Sequence, residues 1–432
     1  MSPLCDASFD LARRERRLDE PLLTVVLPNF NHANDLPRAI DAIIRQSRPA
    51  DELIIIDDGS TDGSREVISR YQSRYPRLTA LYNEKNRGAL RTLQRGLEAA
   101  RGQYVYLAAA DDEILPGFFE RALCVLEATP DVGLFCGETI LVGGATEQPI
   151  GLRPVVRPLR KAGRLSPESV VDLLERADNF IHTGSAIFRN SSLRSKGGFA
   201  LEAGSFSDGL LARKIALTEG MWFEPATVSR WLIDPNGFSR STALIQHRAV
   251  DAMNTIPKWI AADPDFPSWY PKLFRRRWQF GSARLALDAV PTDRGLIAAM
   301  VSDTRLSRIT FRILAPFLSL RIGRLVFLAW LAVCLKPFRL RDVARTALDR
   351  RIERIQSWLV ASPSSRFSRQ SEATGRLQAD WARDAPAMPL PSRPTVIRAL
   401  LAIVAETHAA SNANTNHIDP PFNRIEQMRI EE

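Results

Sequence analysis

The chain has 432 residues, long for a single domain and enough for about two to three folding units. Hydrophobic residues make up 45% and charged residues 25%, an ordinary globular balance that excludes wholesale disorder and a polytopic membrane protein. The formal net charge of +9 is concentrated: between Arg305 and Arg354 twelve Lys/Arg stand against three acids, Asp342, Asp349 and Glu353, so the rest is nearly balanced.

Residues 1–20 read as a basic arm, with the run Arg13-Arg14-Glu15-Arg16-Arg17 and no apolar h-region of a signal peptide. Cys5, Cys124, Cys136 and Cys334 form no CxxC pair and no zinc spacing. Cys124 and Cys136 sit among apolar residues, and reduced thiols in a cytoplasmic protein fit that usage.

From Leu22 the sequence alternates short apolar runs with helical segments. Leu22–Leu27 and Leu53–Ile56 are continuous apolar runs, as expected of parallel strands covered on both faces. Gln103–Ala109 and Val132–Cys136 read the same way, and Leu78–Tyr82 gives a weaker signal. Between them Leu36, Ile40, Ile43 and Ile44 repeat at helical spacing, with Asn34 or Asp35 as cap and Pro37 in the first turn. Gly88–Arg101 and Pro116–Ala128 are further helices. This alternation predicts βαβ units in a doubly wound α/β sheet.

Past Ile140 periodicity fades to Ser166, which predicts a long loop. Ser166–Arg176 reads as a helix with Ser166 as cap and Pro167 at its first position, Ser207–Thr218 as another, and Ala249–Ala289 as mostly helical. Arg308–Leu340 is the most apolar stretch. Its charge-free core, Leu325–Leu335, is eleven residues, whereas spanning a bilayer takes about 20. Interleaving of Arg312, Arg321, Arg324, Lys336 and Arg339 with Phe, Leu, Ile and Trp330 has the composition of an in-plane helix at an anionic membrane. Nucleic-acid binding would bring more polar residues among the cations. A bundle packed on the preceding domain, its arginines reaching solvent, is the competing reading. Four segments result: the arm at 1–20, an α/β domain at 21–245, a helical basic region at 246–360, and a mobile tail at 361–432 with one apolar run, Val396–Ala405.

Ligands of open α/β sheets bind beyond the carboxyl ends of the strands. There the first strand ends in Pro28-Asn29-Phe30-Asn31 rather than in GxGxxG, the second in Asp57-Asp58-Gly59-Ser60-Thr61-Asp62, and the fourth in Ala109-Ala110-Asp111-Asp112-Glu113. Two acidic pairs on one sheet edge repel unless donors or cations meet them. Hydrogen bonding to a sugar or base accounts for one pair, and Mg²⁺ or Mn²⁺ shared with substrate phosphates accounts for the other. Helix capping by Asp57 and Asp58 is the plain alternative for the first.

These blocks, with Asn83 through Asn86-Arg87-Gly88, resemble family 2 glycosyltransferases, whose fold is GT-A (Rossmann-like), over roughly Leu22 to Trp231. The resemblance implies an inverting transferase taking a nucleotide-diphosphate sugar, UDP-linked by preference, to a glycan or lipid-linked acceptor. By it Pro28 and Phe30 line the nucleobase pocket, Asp58 binds the base, and Asn86 and Gly88 lie near the nucleotide. Asp111 sits by the ribose or donor sugar, and Asp112 is the main ligand of a divalent metal, Mn²⁺ or Mg²⁺. Where many members carry an acid, this chain has Ala109. The family's base follows a Gly-Gly-Phe element. Here Gly197-Gly198-Phe199 precedes Ser207-Asp208-Gly209, which makes Asp208 the base, a role compatible with helix capping. His182 falls in the acceptor region, where a structural role is equally open. Trp222 and Trp231 read as core more than as sugar platforms. Arg240, in a flexible loop, is the diphosphate contact, with Arg230 its rival. An inactive scaffold, suggested by Ala109, and a nucleotidyltransferase, which PNFN disfavours, are the other readings.

Overall fold

The computed structural model describes residues 22–143, 148–178, 180–233 and 238–360. The basic arm at 1–20 and the tail at 361–432 lie outside the described residues.

β1 (Leu23–Asn29), α1 (Leu36–Ile44), β2 (Glu52–Asp57), α2 (Ser64–Gln72), β3 (Leu78–Tyr82), α3 (Ala89–Ala99) and β4 (Tyr104–Leu107) alternate as expected. β1 runs parallel to β2 and β4, and β2 runs parallel to β3. The apolar runs follow from burial on both faces. Val25 and Leu27 enter a core with Leu36 and Ile40 of α1 and Ile68 of α2. Val26 between them enters the opposite core, with Leu97 of α3. No solvent-facing position is left along Leu23–Leu27 for an alternating pattern.

β5 (Glu113–Ile114), α4 (Phe118–Ala128) and β6 (Leu134–Gly143) follow. The predicted loop from Ile140 to Ser166 is corrected here. β6 continues to Gly143, β7 (Pro149–Arg153) pairs antiparallel with it, and β8 (Gly163–Leu165) pairs antiparallel with a much later strand. Short strands rich in Gly, Pro and Arg carry little periodicity, so their register comes from partners distant in sequence. Next come α5 (Pro167–Arg176), β9 (Ala186–Arg189), α6 (Asn190–Ser195), α7 (Ser207–Glu219) and β10 (Met221–Ile233). Ser166 caps α5 by accepting from the Ser169 N–H at 3.3 Å. The sheet order is β3-β2-β1-β4-β9-β6-β10-β5, with β7 on β6 and β8 on β10. β9 is antiparallel to both β4 and β6, so the sheet is mixed rather than parallel throughout.

The mostly helical extension expected from the sequence is present as α8 (Phe238–Leu244), α9 (Gln246–Ala262), α10 (Tyr270–Asp288), α11 (Arg294–Met300), α12 (Arg305–Leu314), α13 (Arg321–Leu335) and α14 (Leu340–Val360). Met253, Leu287, Ile297, Phe311, Phe327 and Leu331 form its core. Cys136 and Cys334 are free thiols, whereas Cys124 is disulfide-bonded, which departs from the expectation of reduced cysteines throughout.

Candidate active site

The register of β1 on β2 sets Asn29 opposite Asp57, so the two loops that follow are built against each other. Asn29 Nδ2 donates to Asp57 Oδ1 at 3.1 Å and Ser60 Oγ at 3.2 Å. Asn31, in the left-handed region at φ 57, donates its N–H to Ser60 Oγ and accepts from the Thr61 N–H. This turn leaves Phe30 projecting, 40% exposed, beside half-buried Pro28. An unpartnered ring at a strand end is a surface on which a planar base can stack.

Asp58 is buried and accepts from Asn83 Nδ2 at 2.7 Å and from the Arg87 and Gly88 N–H groups, each at 2.9 Å. A carboxylate offers about four acceptor sites, so one stays open to a ligand. The same bonds fold Asn83–Gly88 against the first two loops, and Asn86 Oδ1 accepts from the Gly88 N–H at 2.8 Å. The contact passes through Gly59. At its φ of +73 an added Cβ would lie 2.7 Å from the Lys85 carbonyl carbon and 2.8 Å from the Asn86 nitrogen, both backbone. Gly59→Ala is therefore expected to cost about 1–3 kcal/mol, read as a lower midpoint in urea unfolding.

Asp111 and Asp112 occupy the loop between β4 and β5. Asp112 Oδ1 accepts from the Leu232 N–H at 3.1 Å, and Arg38 of α1 donates to the Asp111 carbonyl at 3.1 Å. Burial and the neighbouring Asp111 push the Asp112 carboxyl well above its ordinary value, against the opposing pull of the Leu232 N–H and Arg38. A cleft lined by Arg38, Asp111, Glu113, Val142, Arg230 and Leu232 opens here. Among the described residues no group of three His, Cys, Asp or Glu could enclose a metal. Mg²⁺ and Mn²⁺ need only one or two protein carboxylates. Asp112 Oδ2 accepts from no described donor, and burial beside Asp111 penalises the Asp112 carboxylate unless a cation meets it. The residues therefore fit such a cation.

Asp208 lies in the first turn of α7. It does not cap the helix; its Oδ2 accepts from Thr183 Oγ1 at 2.7 Å. Thr183 belongs to the turn Thr183–Ser185, whose Gly184 has Asp112 Oδ2 3.5 Å and His182 Cε1 3.0 Å from where a Cβ would stand. One turn thus joins Asp208 to Asp112. Arg213, farther along α7, pairs with Asp178 and donates to the Gly209 carbonyl, while Tyr270 of α10 donates to Asp178 at 2.9 Å. The helical extension thereby fixes the end of α7 that carries Asp208.

His182 stacks on Trp231, centroids 4.7 Å apart, and its Nδ1 bonds Thr139 Oγ1 at 3.1 Å. Burial and nearby Arg153 lower it to about 4, so the ring is neutral at neutral pH. Trp222 packs against the core, as expected. Arg230 pairs with Glu113 at 3.1 Å. Arg240 lies on α8 rather than in a loop and is not among the described residues lining the cleft. Arg38 and Thr139 went unrecognised in the sequence, whereas Thr183 and Gly184 belong to the acceptor-region motif of His182, without a sign there of their link to Asp208 and Asp112. Only the place of Arg38, one turn into the helix after PNFN, offered a signal.

Residues 24–191 match the model of the family described as glycosyl transferase family 2. Over 111 residues the chain is 39% identical to the uncharacterized glycosyltransferase YibD of Escherichia coli, covering 26% of this chain and 32% of that one. Over 104 residues it is 35% identical to the putative teichuronic acid biosynthesis glycosyltransferase TuaG of Bacillus subtilis, covering 24% and 41%. The chain thus spans less than half the length of these relatives. Among solved structures it resembles the mannosyltransferase PcManGT of Pyrobaculum calidifontis in complex with GDP-Man and Mn²⁺, at 20% identity and a TM-score of 0.49 over 79% of this chain and 93% of that one. It also resembles S. aureus TarS 1-349 in complex with UDP-GlcNAc, at 12% identity and a TM-score of 0.48 over 65% and 81%.

Proposed function

Residues 24–191 match the glycosyl transferase family 2 model, and from that match we propose that the chain moves a sugar, with inversion, from a nucleotide-diphosphate sugar to a hydroxyl of a glycan or lipid-linked acceptor. The observation that carries the reading is the turn joining Asp208 to Asp112, which sets a proton acceptor beside the carboxylate suited to a metal. The catalytic unit is assigned to residues 21–245 and the helical region to 246–360.

Pro28 and Phe30 bind the base, with Asp58, Asn86 and Gly88 shaping the nucleotide wall. Asp111 faces the ribose or donor sugar. Asp208 Oδ1 takes the proton of the acceptor hydroxyl as that oxygen attacks the anomeric carbon. The new C–O bond forms as the bond to the diphosphate breaks on the opposite face, so the anomeric centre inverts. A bound Mn²⁺ or Mg²⁺ at Asp112 would offset the charge growing on the leaving diphosphate. Arg38 adds a fixed cation there, and Arg240 on α8 is the second candidate. His182 and Trp231 border the acceptor side.

Calorimetric titration with UDP, GDP and dTDP, with and without Mn²⁺, tests this reading. Manganese-dependent binding of one nucleotide is expected, UDP first by resemblance. Folded protein that binds none of the three refutes it; binding without turnover on any acceptor favours an inactive scaffold.

The helical region supplies the second partner, an anionic membrane surface. Leu306, Ile309, Ile313, Phe317, Leu320 and Ile322 are exposed, Ile322 at 75% and Leu306 at 74%, with Arg305, Arg308, Arg312 and Arg321 exposed among them. The opposite face, Phe311, Leu318, Phe327 and Leu331, is buried. Arg324 and Arg339 are engaged within the fold, by Thr292 and Glu175. No described helix is long and apolar enough to cross a membrane, so the contact is peripheral. We place it on the cytoplasmic face. Ile313→Glu with Phe317→Glu is expected to abolish sedimentation with phosphatidylglycerol vesicles while nucleotide binding persists. Undiminished sedimentation rules this face out.

A further inference from the structure

Arg153 ends β7, opposite Thr139 of β6. Residues opposite one another in an antiparallel pair share a face, with Cβ atoms about 5 Å apart. The Thr139 hydroxyl on that face bonds His182 Nδ1, so Arg153 stands against the wall of the candidate site. Its Nε is buried without a partner among the described residues, the residue as a whole is half-buried, and the charged groups beside it are the cations Arg284 and Arg350. Other arginines of this region differ. Arg157 is held by Glu138 and Glu353, and Arg350 by Glu138 and the Pro154 carbonyl. Burial, with Arg284 and Arg350 nearby, pushes Arg153 down to about 10. Arg284 of α10 pairs with Asp288, 3.7 Å away on its own helix.

A buried cation without a counter-ion is unfavourable, and a guanidinium fork matches the oxygens of phosphate. In the transferase reading the donor diphosphate lies toward Arg38, which bonds the Asp111 carbonyl, whereas Arg153 stands on the His182 side. We propose that Arg153 binds a phosphate group of the acceptor beside His182. The assignment to the acceptor rests on the transferase reading above; the anion site itself does not. The phosphate can come from a lipid diphosphate anchor or from a phosphorylated glycan.

The test is titration of the full chain, in metal-free buffer so that binding through Asp112 is avoided, with farnesyl diphosphate and with glycerol 3-phosphate. Wild type is expected to bind at least one, and Arg153→Gln to weaken it on the order of tenfold or more. Preference for farnesyl diphosphate identifies the lipid anchor; equal binding identifies a phosphorylated glycan. Because the cation lacks a partner, Arg153→Gln should match or exceed the thermal stability of wild type without ligand. Arg153→Lys, which keeps charge but not the fork, should bind at an intermediate level. Failure of wild type to bind either probe overturns the proposal, as does equal binding by Arg153→Gln or a large loss of its stability. Nucleotide titration with Mn²⁺ on the same preparation separates the two readings. Nucleotide binding without phosphate binding sinks only the anion site; Arg153-dependent phosphate binding without nucleotide binding sinks only the transferase.

Discussion

Asp208→Asn is expected to lower turnover by about 10²–10⁴-fold while nucleotide affinity stays at the wild-type level. The amide has the shape of the carboxylate, and its oxygen can still accept from Thr183 Oγ1, which in the native chain sits 2.7 Å from Asp208 Oδ2. Arg213, Asp178 and Tyr270 continue to hold the helix end. Only proton abstraction is lost. Paired measurement of the initial transfer rate and of nucleotide affinity by calorimetry checks this. Near-normal turnover moves the base elsewhere. His182 is the nearest alternative by place, but its Nδ1 is already bonded to Thr139.

The second large effect is expected at Asp112. Asp112→Asn should weaken nucleotide binding in Mn²⁺ on the order of a hundredfold, beyond the range seen for outer-shell partners, and change metal-free binding little. Burial and Asp111 hold the Asp112 carboxyl well above its ordinary 3.8, so a metal and a proton compete for it. Mn²⁺ binding should therefore release protons, detected as a dependence of the apparent enthalpy on buffer, and should strengthen as pH rises through the raised value. In metal-free protein the sign for stability is opposite. The native state binds more protons than the unfolded chain at pH above 3.8, so the contribution of Asp112 is full in acid and lost as pH rises through its folded value. Asp112→Asn should remove that loss. Metal affinity independent of pH in wild type would exclude Asp112 as the ligand.

Much of the fold was legible because its signals are local. The apolar runs of β1 and β2 and the repeat of Leu36, Ile40 and Ile43 each encode burial within a few residues. The cap at Ser166 is likewise a local bond. The acidic pairs were legible for the same reason: strand ends place Asp58 and Asp112 on one edge whatever surrounds them. Asp208 was put forward from its distance to a Gly-Gly-Phe element, not from its environment.

The sequence by itself determined the strand–helix alternation, the strand-end motifs, and the amphipathic character of the basic region. Only the tertiary structure decided that β9 runs antiparallel, that β7 and β8 are strands, and that Thr183 and Gly184 bridge Asp208 to Asp112. It alone set Arg38 on Asp111 and buried the Arg153 Nε, without a partner among the described residues, against the wall that holds His182. The physical reason is range. Burial patterns and caps act between neighbours in the chain, whereas pairing register and the partner of a charged side chain are fixed by segments distant in sequence that meet only when the sheet closes.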